Sequence, residues 1–218
     1  MTDHASPSGD RPPAERRRAV ALAGHDADPP FARAALDDPD PGVRASALGA
    51  LERLGALDDP TLRGALGDPA PVVRRRAATL AAGHRGISLL TALDDPDPAV
   101  VEVAAFAIGE QEDGTTTVIQ RLAELAGDHR DPLVREAAVA ALGAIGDVAG
   151  LRAVLAATTD KPNVRRRAVI ALAAFEGPAV DEALERALHD RDWQVRQAAE
   201  DLTRDPPGPV AGEAEPEG

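Results

Sequence analysis

The chain has 218 residues, a formal charge of −13 and no cysteine, which excludes disulfides, thiolate catalysis and cysteine-held zinc. Aromatic side chains make up only 2% (Phe31, Phe106, Phe175 and Trp193) and alanine and leucine dominate the apolar residues, a composition suited to thin layers of close-packed helices and not to a thick sheet core. The acidic balance repels polyanions at long range, and with no apolar stretch near about 18 residues neither a signal peptide nor a membrane span is expected.

In chain order, residues 1–10 are polar and aperiodic, and disorder is expected there. A helix over 13–22 follows, carrying Arg16-Arg17-Arg18. It is a degenerate copy of a phrase that comes next in full, Asp38-Pro39-Asp40-Pro41-Gly42-Val43-Arg44. The phrase returns as Asp68-Pro69-Ala70-Pro71-Val72-Val73-Arg74 and as Asp95-Pro96-Asp97-Pro98-Ala99-Val100. Shorter versions are Asp131-Pro132-Leu133-Val134-Arg135, Lys161-Pro162-Asn163-Val164-Arg165 and Asp192-Trp193-Gln194-Val195-Arg196. The aligned valines, from Val43 to Val195, are spaced by 30, 27, 34, 30 and 31 residues. Self-similarity at such a period marks a repeat architecture.

Each copy predicts a helix. Asp40, Asp97, Asp131 and Asp192 stand where an N-cap carboxylate accepts from free helix N–H groups, and Pro41, Pro98 and Pro132 follow at the first helical position. An apolar stripe then runs at helical spacing, as in Val134, Ala138, Leu142 and Ile145. Gly55, Gly83, Gly109, Gly146 and Gly177 are predicted to close these helices in the left-handed conformation. Between the copies, shorter helices are predicted over 31–36, 61–66, 87–93, 116–126, 150–157 and 180–188. Each unit is therefore helix A, an Asp/Pro turn and helix B. Helices this short are marginal alone, so stacking must supply their stability. The expected fold is all-α, a right-handed superhelix of about seven hairpins over residues 11–204. The Pro- and Glu-rich segment 205–218 is expected to be a disordered acidic tail.

The phrase Asp-Pro-x-Val-Arg-x-x-Ala at this spacing resembles HEAT repeats, in particular the short kind first noted in phycobilisome lyases. The resemblance covers nearly the whole chain. It implies an α-solenoid and, most often, a non-catalytic scaffold that holds a protein or peptide. It also implies two further readings: a subunit that handles bilin chromophores, and a nucleic-acid-binding or DNA-repair protein. Fold alone does not choose among them.

The residues weigh as follows. Arg44, Arg74, Arg135, Arg165 and Arg196 each follow a repeat valine, and Val101 takes that place in the third full copy. Asp38, Asp68 and Asp190 lie six residues before their arginines. A structural ladder is expected, each arginine pairing with a turn aspartate of its own or an adjacent repeat. Residues two past each valine are expected to line a concave helix-B groove: Arg17, Ala45, Arg75, Glu102, Glu136, Arg166 and Gln197. Their signs alternate along the stack, which suits a protein and breaks the positive track that a phosphate backbone needs. Phe106 and Ile170 lean toward the same groove, with core burial as the alternative. Trp193 is expected to cover the end of the core, with a partner anchor as the alternative.

No catalytic group is expected. The five histidines lack ligand spacing, Ser46 and Ser88 have no neighbouring base, and the recurring turn carboxylates Asp37, Asp38, Asp94 and Asp95 read as caps. Neither metal nor cofactor is implied, and a monomer in the cytoplasm is expected.

Overall fold

The structure, a computed structural model, describes residues 11–26 and 28–204. Twelve α-helices and no strand occur among them. Seven are helix-B elements: α1 (Pro13–Ala23), α3 (Pro41–Arg53), α5 (Pro71–Ala81), α6 (Pro98–Gln111), α8 (Pro132–Ile145), α10 (Pro162–Ala171) and α12 (Trp193–Thr203). The helix-A side holds α2 (Pro29–Ala34), α4 (Asp59–Leu66), α7 (Thr116–Asp128), α9 (Leu151–Ala157) and α11 (Pro178–Leu188). Every helix B packs on the next one along, from α1 to α12, and each helix A packs on the helix B that follows it. This is an α-solenoid of two helical layers. The terminal segments 1–10 and 205–218, expected to be disordered, lie outside the described residues.

Local chemistry explains the boundaries. The Asp40 carboxylate accepts from Val43 N–H at 3.0 Å, Asp97 from Ala99 at 2.9 Å, Asp131 from Leu133 at 2.9 Å and Asp192 from Gln194 at 2.9 Å. Asp58 caps α4 in the same way, accepting from Thr61 N–H. The six valines that open the helix-B stripes from α3 onward, Val43, Val73, Val100, Val134, Val164 and Val195, are all buried, and so is Val20 late in α1. They enter a core built largely of alanine and leucine that runs without a break from Val20 to Ala183, with a small separate cluster around Val195.

Three expected helix-A segments differ. Residues 31–36 divide between α2 and a 3-10 turn, Ala35–Asp37. The stretch 150–157 opens with another 3-10 turn, Val148–Gly150. Over 87–93 no α-helix forms, and only the 3-10 segment Leu90–Asp94 remains. This unit has the shortest valine-to-valine spacing, and the 3-10 segment stands in the place of its helix A. The backbone of that connection is held by a buried side chain instead. Gln111, buried at the end of α6, donates its amide N–H groups to the carbonyls of Ala81 (2.7 Å), His84 (3.2 Å) and Ile87 (3.2 Å).

The glycines also divide. Gly146 closes α8 in the left-handed conformation, as expected, at φ 68°. Gly109 does not close α6. It lies inside the helix, which continues to a left-handed Glu112 at φ 56°. The reason is proximity: a Cβ on Gly109 would stand 3.1 Å from the Cα of Ala141 on α8. Gly143 serves α8 and α10 more stringently, since its Cβ would lie 2.6 Å from Ala171 Cβ and 2.8 Å from Ala171 Cα. Gly83 is not in the left-handed region either.

Candidate functional site

Two constructions run the length of the stack. The first is a ladder of guanidinium–carboxylate pairs at the turns. Arg44 grips the Asp68 carboxylate with two parallel bonds, Nε at 2.8 Å and Nη2 at 2.7 Å. The same fork joins Arg16 to Asp38, Arg74 to Asp95, Arg135 to Asp160 and Arg165 to Asp190, with every bond between 2.6 and 2.9 Å. The partner is thus always the turn of the next repeat. The arginine's own turn supplies a carbonyl instead: Arg44 Nη1 donates to Asp38 O (2.9 Å) and Arg165 Nη1 to Asp160 O (2.8 Å). Each carboxylate also takes a nearby backbone N–H, as Asp68 takes that of Ala70 at 2.8 Å. Bidentate, charge-assisted geometry of this kind makes the strongest side-chain bonds available to the fold.

The electrostatics follow. The Arg74, Arg135 and Arg165 forks hold the carboxyls of Asp95, Asp160 and Asp190 below the usual aspartate range. At Asp38 and Asp68 burial is the largest influence and pushes the pKa up. The arginine fork, the backbone N–H and the charge of a second arginine together outweigh it, and both carboxyls end lower than usual.

The ladder has one gap and one open end. Val101 replaces the arginine on α6 and is buried. At the matching place in the next turn His129 replaces the aspartate, and its Nδ1 accepts the Asp131 N–H at 3.1 Å, as the missing carboxylate would. Both halves of that rung are therefore changed together. At the far end Arg196 keeps its bond to Asp190 O at 2.7 Å but has no carboxylate partner among the described residues. Three members escaped the sequence reading. Arg16 is hidden in a triplet, the Asp95 copy lacks an arginine of its own, and Asp160 sits five residues before Arg165 instead of six. An aspartate 21–25 residues after each arginine was the available signal.

The second construction is a trough on the helix-B layer. Between α6 and α8, Glu102, Phe106 and Glu136 line a hollow of about 380 Å³ with Leu133. Between α10 and α12, Arg166, Ile170 and Gln197 line another with Trp193 and Leu202. A third hollow, floored by Ala140, Gly143, Ala144 and Ala171, shares Ala140 and Arg167 with the first and Ile170 with the second. The three adjoin in a row along four successive helices. Phe106 is 58% exposed and Ile170 38%, so neither is a core residue. Trp193 is 64% exposed and stands in the trough wall, not over the end of the core; the Val195 cluster closes on alanines and on Leu184 and Leu188 instead. Arg17 and Arg75 are exposed on α1 and α5, outside these hollows.

Within the trough Glu136 is already engaged, by Asn163 Nδ2 at 2.7 Å and by Arg167 at 3.7 Å. Gln197 donates to Asp201 at 2.9 Å. Glu102 and Arg166 have no ion-pair partner among the described residues. Of the other described histidines, His84 lies between Glu52 (3.1 Å) and Asp59 (3.5 Å), His189 Nδ1 lies 3.1 Å from Glu185 O, and His25 is exposed in the turn after α1. No helix of the described chain is long and apolar enough to cross a membrane.

Comparison with known proteins agrees with this architecture. A family profile described as HEAT repeats matches residues 8–83, 88–162 and 148–203. The X-ray structure of Escherichia coli YibA superposes with a TM-score of 0.68 at 21% identity, covering 91% of this chain and 79% of that one. A designed armadillo repeat protein superposes with a TM-score of 0.54 at 20% identity, covering 80% of this chain and 97% of the design. No curated protein matches the chain in sequence. The repeated phrase, the stacked hairpins and the profile match over most of its length place the chain in the HEAT-repeat family.

Proposed function

We propose that the protein is a non-catalytic scaffold that holds a protein or peptide partner on its helix-B face, the concave side of the stack. One observation carries this reading: of eight exposed large apolar side chains among the described residues, five (Phe106, Leu133, Ile170, Trp193 and Leu202) line this row of adjoining hollows. Exposed apolar surface gathered in one place and rimmed by charge is what a protein interface offers before its partner arrives. Arg75, Glu102 and Arg166 give the face alternating charge, which favours a protein over a polyanion. The ladder is read as structural, because the charges of its five forks are paired within the stack. The absence of cysteine is in keeping with a reducing cytoplasm, and a monomer is the proposed state.

Affinity capture compares the wild type with Arg75→Glu/Arg166→Glu, and with Arg152→Glu on the helix-A side as a control. Loss of the same partners in the first variant only is expected. Identical partner sets for wild type and Arg75→Glu/Arg166→Glu refute the assignment of this face.

A further inference from the structure

Resting on the reading that the helix-B face takes a protein, we infer that the occupant of the trough is an amphipathic α-helix, apolar toward the floor, with a basic side chain at one end and an acidic one at the other. Its length follows from the trough. The row of hollows spans α6, α8, α10 and α12, and three steps of about 8–10 Å give roughly 24–30 Å. A helix rising 1.5 Å per residue covers that distance in about 16–20 residues.

The floor selects a helix over an extended strand. Ala140, Gly143, Ala144 and Ala171 carry no side-chain donor or acceptor. An extended peptide laid there leaves inward-facing N–H and C=O groups unpaired, which is costly once water is expelled. A helix satisfies its own backbone and presents only side chains, and grooves that take helices are apolar for this reason. Small floor residues also let a helix axis come close, while Phe106 at one end and Trp193 at the other stand up as walls.

Charge sets the ends. Glu102 stands at the α6–α8 end and Arg166 at the α10–α12 end, each without an intramolecular ion-pair partner, whereas the Glu136–Arg167 pair between them is already matched. Asp201, near Arg166, is engaged by Gln197. The complement is a helix with lysine or arginine opposite Glu102, aspartate or glutamate opposite Arg166, and an uncharged middle.

Trp193 is the only tryptophan, the chain has no tyrosine, and the indole lines the trough, so its emission reports occupancy directly. The full chain is titrated with peptides of about 18 residues that carry a Leu/Ala face and no Trp or Tyr. One has lysines at one end and glutamates at the other, a second has glutamates at both ends, and a third repeats the first with two central prolines that forbid a helix. The first is expected to shift Trp193 emission and to bind at least about tenfold more tightly than the proline peptide. Phe106→Ala, at an exposed position where folding is not at stake, is expected to weaken it about tenfold, and Glu102→Lys to transfer preference to the doubly acidic peptide. Equal binding of the proline peptide overturns the inference in favour of an extended occupant. If Trp193 ignores all three peptides while Arg75→Glu/Arg166→Glu still loses its captured partners, the helix is wrong and the binding face stands. If that variant loses no partner, the face itself falls.

Discussion

Replacing Arg135 with alanine tests whether the ladder holds the stack together. The change removes two bonds to Asp160, at 2.6 and 2.7 Å, and one to the His129 carbonyl at 2.7 Å. Asp160 keeps the Lys161 N–H but loses its countercharge. Both side chains are mostly covered, at 11% and 21% exposure. A charge-assisted bond contributes about 1.5–3 kcal/mol, and breaking a fully buried pair from one side costs about 3–5 kcal/mol. Partial solvent access brings the expected loss to about 2–4 kcal/mol. For a chain of this size, about 3 kcal/mol lowers the melting temperature by roughly 6–12 °C. Differential scanning calorimetry reads the shift, and amide exchange locates it: α8 and α10 should open earlier than α3 and α5. Arg135→Lys keeps the charge but loses the planar fork, so it should recover only a small part. Arg166→Ala, on the exposed side of the next helix B, is the control. If Arg135→Ala melts within about 1 °C of that control, the rungs are ornamental and the reasoning is wrong.

Three further outcomes follow from the same geometry. Val101→Arg alone places an unpaired guanidinium in the core and should cost several kcal/mol, on the order of 3–5, whereas Val101→Arg/His129→Asp rebuilds the missing rung and should be the more stable of the two by urea midpoint. Gly143→Ala normally gains about 1 kcal/mol in a helix interior, but here the new Cβ meets the Ala171 backbone at 2.8 Å, so a lowered melting temperature is expected. The ladder carboxyls titrate lower in the folded chain than in the unfolded one, whose aspartates titrate near about 3.9. Their contribution is therefore complete above that value and is lost as pH falls through the folded values. Urea midpoints measured from pH 6 down to pH 2 should decline with a steeper slope for the wild type than for Arg135→Ala.

What the sequence made legible was local. The caps at Asp40, Asp97, Asp131 and Asp192 depend on residues two or three places away, and the valine stripes on a period of one turn, so both can be read from the chain directly. The direction of the ladder could not be read in this way. Whether Arg44 reaches its own turn or the next depends on how hairpins stack, and only stacking puts Asp68 within 2.7 Å. The helix-A segment before α6 was overestimated because its apolar residues suited a helix, whereas the chain there forms only the 3-10 segment Leu90–Asp94. The trough was half visible. Phe106 and Ile170 could be placed by register, but the shallow floor is made of alanines and a glycine, which carry no signal by themselves, and Trp193 looked like a lid because its position in the last unit drew attention to the end of the core.

Asp38, Asp68, Asp160 and Asp190 each face backward with the carboxylate, toward the arginine of the preceding unit, and forward with the carbonyl, toward the arginine of their own. A unit is thus a plug at one end and a socket at the other, with the same fitting on every neighbour. Duplicating or deleting a whole unit leaves the fittings matched, so the array can change length in single steps without redesign. A point change in one aspartate, by contrast, disturbs two junctions at once. The Val101–His129 seam shows the form a tolerated departure takes: plug and socket altered as a pair, one to a buried valine and the other to a histidine that accepts the Asp131 N–H.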